Sequence, residues 1–367
     1  MHYRKTLTVS ILAMGMMFSQ ARAQDGIAES LQSMLESNAQ LYLQPFVNAF
    51  SSDMNSGWYY KAGTHKFLGF DLSVKMAAAQ IGDDEKTFNW VLSENSITLP
   101  LNSATSGQIN DLTLPFSDLY QGSSTETATV FGDVGGTLTP NHNHVVGLIH
   151  DQFIDGGRSE AEWSFIEGDV TNTVQNSVSD FNLPDGFDVP AMPMPIVQAS
   201  IGLPMGTEVS ARFFPEQDLG DFGTFSFYGG GLRLNLDQFI PIPLFPVDIT
   251  AGAFYQQMKM GDIITATNMH YGLQVGKSLN LLIFGLGAYV DAGIDATTID
   301  VTYDAELPDG QGGTQILPVN FSLEADGGPR FGGGIYVKPL PFVYISAAYS
   351  QTPSNQVLTA GLNIGMR

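Results

Sequence analysis

Charged side chains recur on the polar face of runs that alternate with apolar residues. Glu208, Arg212, Arg233 and Asp237 fall on such polar faces late in the chain, and Asp71 and Lys75 do so earlier. In a strand, successive side chains point to opposite faces, so these six are expected to share one side of a sheet. Mixed charges gathered inside a barrel pair with one another and line a water path. Other residues invite different chemistry. His142 and His144 would share a strand face and, with His150, could meet a metal, but no third ligand has a defined spacing. They are expected to be polar loop residues. The acidic stretches Asp218-Leu219-Gly220-Asp221 and Asp304 to Gly310 offer oxygens for Ca²⁺ but lack EF-hand spacing, so solvated loops are expected. Gly229-Gly230-Gly231 and Gly332-Gly333-Gly334 are not followed by the helix and Lys-Ser/Thr of a phosphate loop. They suit strands that need room or curvature. No spacing singles out a Ser–His–Asp set. The expectation is no enzyme, no metal and no cofactor.

The elements that must position the six charges are strands. Leu358, Ala360, Leu362, Ile364 and Met366 share one face, opposite Thr359, Gly361, Asn363 and Gly365. Met269, Tyr271, Leu273 and Val275 oppose His270, Gly272, Gln274 and Gly276. Leu68, Phe70, Leu72, Val74, Met76 and Ala78 alternate with Asp71, Ser73 and Lys75. This is the period of a sheet with one apolar and one wet face. A soluble sandwich shows it too. The length of the strand at about 281–303, and aromatic residues near strand ends, favour a transmembrane barrel.

The N-terminus supports that compartment. Arg4 and Lys5, the apolar run Thr6 to Phe18, and Ala21-Arg22-Ala23 form a cleavable signal, residues 1–23. Its loss would leave 12 basic against 37 acidic residues, which argues against nucleic acid as a partner. The absence of Cys excludes disulfides and thiolate sites. Residues 24–56 read as a helical segment. Ile27, Leu31, Met34 and Leu35, then Tyr42 and Phe46, recur at helical spacing, and Pro45 is expected to kink or end the helix. Such a stripe needs an apolar surface, and a barrel lumen would make the helix a plug. Trp58-Tyr59-Tyr60 suits a membrane interface.

Residues 57–367 then form the barrel. Phe88 to Leu92 reads as a strand, and 93–194, rich in Ser, Thr, Asn, Asp and Gly, as long external loops with two to four strands among them. Nine strands follow, near 196–203, 207–214, 224–237, 247–258, 263–276, 281–303, 318–337, 342–350 and 357–367. With the N-terminus and the end of the last strand both in the periplasm, totals of 10, 12 or 14 are allowed, and length favours 12–14.

The segments Leu41-Tyr42-Leu43-Gln44-Pro45-Phe46, Asn55-Ser56-Gly57-Trp58-Tyr59 and His65 to Asp71 resemble the opening of a Gram-negative outer-membrane family of unknown function. Pro246 to Ile249 and Tyr271 to Ser278 resemble its later strands. More distantly, a helix ahead of such a barrel is similar to FadL-type transporters of hydrophobic compounds, although their Asn-Pro-Ala hatch motif is missing. The resemblance implies an all-β transmembrane antiparallel barrel in the cell outer membrane, in contact with its lipid and built by the barrel-assembly machinery. The expected function is passive passage of a small solute, hydrophobic ones included. The alternative is a structural or surface-interaction barrel that displays its external loops.

Overall fold

The computed structural model describes residues 34–218, 224–240, 247–280, 284–308 and 314–366. The signal segment, Ile27 and Leu31 lie outside them. The alternating segments form ten antiparallel strands that close on themselves. These are β1 (Phe70–Gln80), β2 (Ala191–Gly202), β3 (Thr207–Asp218), β4 (Thr224–Asn235), β5 (Asp248–Met260), β6 (Ile264–Asn280), β7 (Gly285–Pro308), β8, β9 (Val343–Gln351) and β10 (Gln356–Met366). β8 has two arms, Thr314–Glu324 and Gly328–Leu340, which pair with the outer and inner parts of β7. Each strand pairs with its neighbour in sequence. The seam joins first to last, with Phe70 opposite Met366 and Gln80 opposite Gln356. One end carries tight hairpins such as 203–206, where Met205 and Gly206 take the successive positive φ that matches strand twist. This is the hairpin end. The other end carries the long insertion between β1 and β2 and is the cap end.

The closed barrel agrees with the alternation, but 12–14 strands was too many. The insertion adds none to the barrel. Phe88 to Leu92 does not become a barrel strand; Thr87–Asn89 pairs only with Glu126–Ala128. Much of the rest is helical, α2 (His142–Asp155) and α3 (Glu160–Ser177), ahead of which α1 spans Glu36–Met54. The Asn141 side chain caps α2, and Ser159 with Glu162 closes a reciprocal capping box on α3. Val145, Ile149 and Phe153 on α2, and Trp163, Ile166, Val170 and Val174 on α3, are buried. Their spacing of three and four is a helical stripe, and it outweighs the polar composition that suggested loops.

The barrel wall changes character along its height. Near the hairpin end it is apolar outside and polar inside: Leu286, Val290 and Ile294 of β7 are exposed, while Asp295 and Thr297 are buried. Past Thr297 the same residues point inward, but the two faces exchange chemistry: Ile299, Val301, Tyr303 and Ala305 are buried, and Asp300, Thr302, Asp304 and Glu306 face out. β6 exchanges likewise, with Ile264 and Ala266 buried at the cap end and Met269, Tyr271 and Leu273 exposed lower down. On β2 the interior runs from Met192, Met194 and Ile196 to Gln198 and Ser200. The outward apolar stretch of β7 matches the ~9–11 residues with which a tilted strand crosses a bilayer core. The cap-end part has instead the pattern of a water-soluble protein, dry inside and wet outside.

α1 occupies that dry interior. From Tyr42 onward, Tyr42, Leu43, Val47, Ala49, Phe50 and Met54 are buried on several sides of the helix, as in an enclosed helix, whereas Glu36 and Leu41 in its first turns are exposed. Pro45 lies inside the helix and does not end it. Above, Asn38 Nδ2 donates to the Val91 carbonyl at 3.1 Å, and Tyr42 Oη to the Asp185 carbonyl at 2.9 Å. Below, the Ser51 and Thr297 hydroxyls are 2.7 Å apart. Cap, helix and upper barrel thus share one apolar core.

Candidate functional site

Residues 55–66 follow α1 as a strap without helix or strand, running down the lumen from cap end to hairpin end. An extended segment inside a barrel must find partners for its backbone. The wall supplies them as side chains on inward strand positions. Arg330 of β8 donates from Nη2 to the Ser52 carbonyl at 2.7 Å. Arg212 of β3 reaches the Met54 carbonyl at 2.8 Å and the Ser56 carbonyl at 2.7 Å. Lys75 donates to the Gly57 carbonyl, and Gln198 to that of Trp58 at 2.9 Å. Arg233 of β4 holds the Lys61 and Ala62 carbonyls, both at 2.9 Å, and Thr250 also donates to Ala62. The Arg212 guanidinium stacks 3.6 Å from the centre of the Trp58 ring, which also lies against Phe254. Trp58, Tyr59 and Tyr60 therefore fill the lumen and do not face the membrane interface. Gly231 makes room for Phe254: a Cβ there would stand 2.1 Å from its ring.

Several of the buried charges are paired. Arg233 Nη1 meets Glu208 Oε1 at 2.8 Å. His65, on the strap, meets Glu208 through Nδ1 at 2.7 Å and Asp71 through Nε2 at 3.2 Å. Arg330 and His270 share Asp295, with contacts of 2.7 Å each. Tyr59 Oη donates to Asp291 at 3.1 Å. Of the residues expected to line a lumen, Asp71, Lys75, Glu208, Arg212 and Arg233 face the interior and are 4% exposed or less. Asp237 is only half-buried, with its Oδ1 buried. It sits in a single 3-10 turn, Asp237–Phe239, after β4 has ended. Of the expected plug stripe, Met34 is buried and its carbonyl accepts from Tyr303 Oη at 3.2 Å, while Leu35 precedes the first helical residue and packs on the core.

Arg330, Asp295 and Asp291 were legible by the same alternation, each lying next to an outward apolar residue: Phe331, Ile294 and Val290. His65 carried no such signal, because it lies ahead of the first strand. Asp53, in the last turn of α1, is fully buried, and neither carboxylate oxygen has a hydrogen-bonding partner. Burial holds its carboxyl well above the ordinary range, and the charge of Arg330 relieves this only in part. Among the described residues, no group of three or more His, Asp or Glu is arranged to hold a metal. His142 and His144 lie on a helix, so their spacing no longer puts them on one face. His150 pairs instead with Glu160 at 3.0 Å.

A family model described as a family of unknown function (DUF6588) matches residues 2–366. The chain belongs to that family. No curated protein matches it. Among solved structures it is similar to the N-terminal β-barrel domain of Pseudomonas aeruginosa OprF, at 12% identity over 44% of this chain and 94% of that one, with a TM-score of 0.19. It is similar to Ail, the attachment invasion locus protein of Yersinia pestis, at 12% identity over 43% and 93%, with a TM-score of 0.21. The transport unit of the autotransporter AIDA-I from Escherichia coli matches at 7% identity over 88% and 99%, with a TM-score of 0.26. At such scores the barrel assignment stands on this chain's own closed sheet. The similarity to FadL-type transporters remains an expectation from the sequence.

Proposed function

We propose that this protein is a sealed outer-membrane barrel that anchors a folded, acidic cap at the cell surface. The observation that carries the reading is the strap. Residues 55–66 fill the lumen, and buried arginines of three different strands bind strap or helix carbonyls. A solute path would have to break those bonds to the strap and helix carbonyls, each a charged-donor hydrogen bond worth about 1.5–3 kcal/mol. The outer-membrane location is supported by the belt of exposed Leu, Val, Ile, Phe and Tyr around the strands. That belt is far larger than the apolar patches water-soluble monomers expose. The cap is assigned to the outside because such barrels carry their long connections there. It needs no solute, enzyme chemistry or cofactor.

Passage of a small solute is the second reading. It is favoured because the strap is held by side chains and has no strand ladder of its own, so it could leave the lumen as a unit. Planar-bilayer recording of the purified protein separates the two. The sealed reading expects no channel steps from the wild type. Steps that vanish when cysteines at positions 51 and 297 are oxidised to a disulfide would establish passage gated by the helix.

A further inference from the structure

The chain crosses the lumen once before its first strand, and it does so from cap end to hairpin end. Met34 is held at the cap end by Tyr303 of the outer part of β7, and Asn38 and Tyr42 are bound to the cap itself. Asn48 donates to Asp326, at the bend between the arms of β8, at 2.8 Å. After the strap, Leu68 N donates to the Gly202 carbonyl at the hairpin end, and only then does β1 begin. The described chain therefore starts on the same side as the cap. This is the reverse of the expected placement of the N-terminus in the periplasm.

We infer that the barrel carries the start of α1, from Met34 on, across the membrane and presents it at the cell surface beside the cap. The inference rests on the surface reading above, which sets the cap end outside. It also implies an order of assembly. The cap core includes α1 and the upper barrel wall, and the strap fills the lumen, so the folded cap cannot pass back through it. Helix and cap must cross before the seam between β1 and β10 closes around the strap. A helix inserted from the periplasmic side would instead lose the Asn38, Tyr42 and Asn48 contacts together.

Single cysteines in this Cys-free chain test the inference on intact cells with an impermeant maleimide. Glu36 and Leu41 are exposed on α1, Asp169 is exposed on α3 of the cap, and Met205 is exposed at the hairpin end. Each variant is first checked for heat-modifiable migration, and Leu41→Cys serves where Glu36→Cys fails to fold. The expected result is that Glu36→Cys labels as fully as Asp169→Cys, while Met205→Cys labels only after the outer membrane is permeabilised. If Asp169→Cys labels and neither α1 position does so until permeabilisation, the inference is overturned and the surface reading stands. If Met205→Cys labels on intact cells and Asp169→Cys does not, the surface reading itself fails, and the inference with it.

Discussion

Arg233 and Glu208 are each about 2% exposed, and each is the other's counter-charge. Truncating one partner of such a pair leaves an uncompensated charge in a dry site, which costs about 3–5 kcal/mol. Arg233→Ala should therefore lower the temperature of the heat-modifiable gel shift. Arg233→Lys should recover little, because one ammonium cannot hold the carboxylate and the Lys61 and Ala62 carbonyls together. Recovery by Lys would show that charge alone matters and that the fork geometry does not. Asp53 poses the opposite case, a buried acid with no donor, at the helix end where the backbone dipole is negative. Its carboxyl is raised on folding, so the folded chain binds a proton more tightly than the unfolded one. Its contribution is most favourable below the unfolded carboxylate range and declines as pH rises towards the folded pKa. Asp53→Asn cannot titrate. It should stabilise the protein, and by more at pH 8 than at pH 5, measured as the shift in urea midpoint of intrinsic fluorescence. A pH-independent difference would remove the titration argument.

At the scale of the element, β7 carries two environments on one strand. Ile294 and Thr302 are four turns of the pleat apart on the same outward face, yet one lies in the apolar belt and the other above it. Arginine near the midplane of a lipid-facing strand costs about 2–4 kcal/mol, and near or beyond the interface about 0–1. Ile294→Arg should therefore impair refolding into lipid vesicles, while Thr302→Arg should be close to neutral. Equal losses would place both residues in lipid and move the membrane boundary towards the cap. The neighbouring lumen face behaves differently from an open pore. Asn363 of β10 is fully buried, so a large side chain there meets packed atoms and not water.

Across the whole molecule, one core joins cap, helix and upper barrel, so none of the three is an independent unit. Phe50 of α1 is fully buried and stacks against Phe46, which in turn meets Phe131 of the cap. Phe50→Ala should cost about 3–5 kcal/mol. The loss should appear twice, as faster proteolysis within the cap and as a lower temperature for barrel unfolding. Faster cap cleavage with an unchanged barrel would separate the two into domains. The charge distribution has the same polarity as the fold. Lys86 and Arg158 are the only Lys or Arg between Ile81 and Pro190, a stretch with many Asp and Glu, whereas Lys66, Lys277 and Lys338 lie near the hairpin end.

The local period of the chain was enough to identify the barrel. Leu358 to Met366 and Met269 to Gly276 alternate strictly, and alternation fixes which side chains share a face whatever the neighbours are. It also put Asp71, Lys75, Glu208, Arg212 and Arg233 on the inner face, since each sits within such a run. For Asp237 the alternation says nothing, because β4 ends at Asn235 and beyond a strand end the period has no meaning. The strand total was misjudged because the helical stripes Val145–Ile149 and Ile166–Val170–Val174 are sparse within polar sequence. Only the tertiary structure decided what fills the lumen. The strap has no period of its own; its conformation is dictated by Arg212, Arg233, Arg330 and Gln198, at least 130 residues further along the chain. Contacts at that separation exist only once the distant strands have come together around the lumen, so no local pattern could have shown that residues 55–66 occupy it.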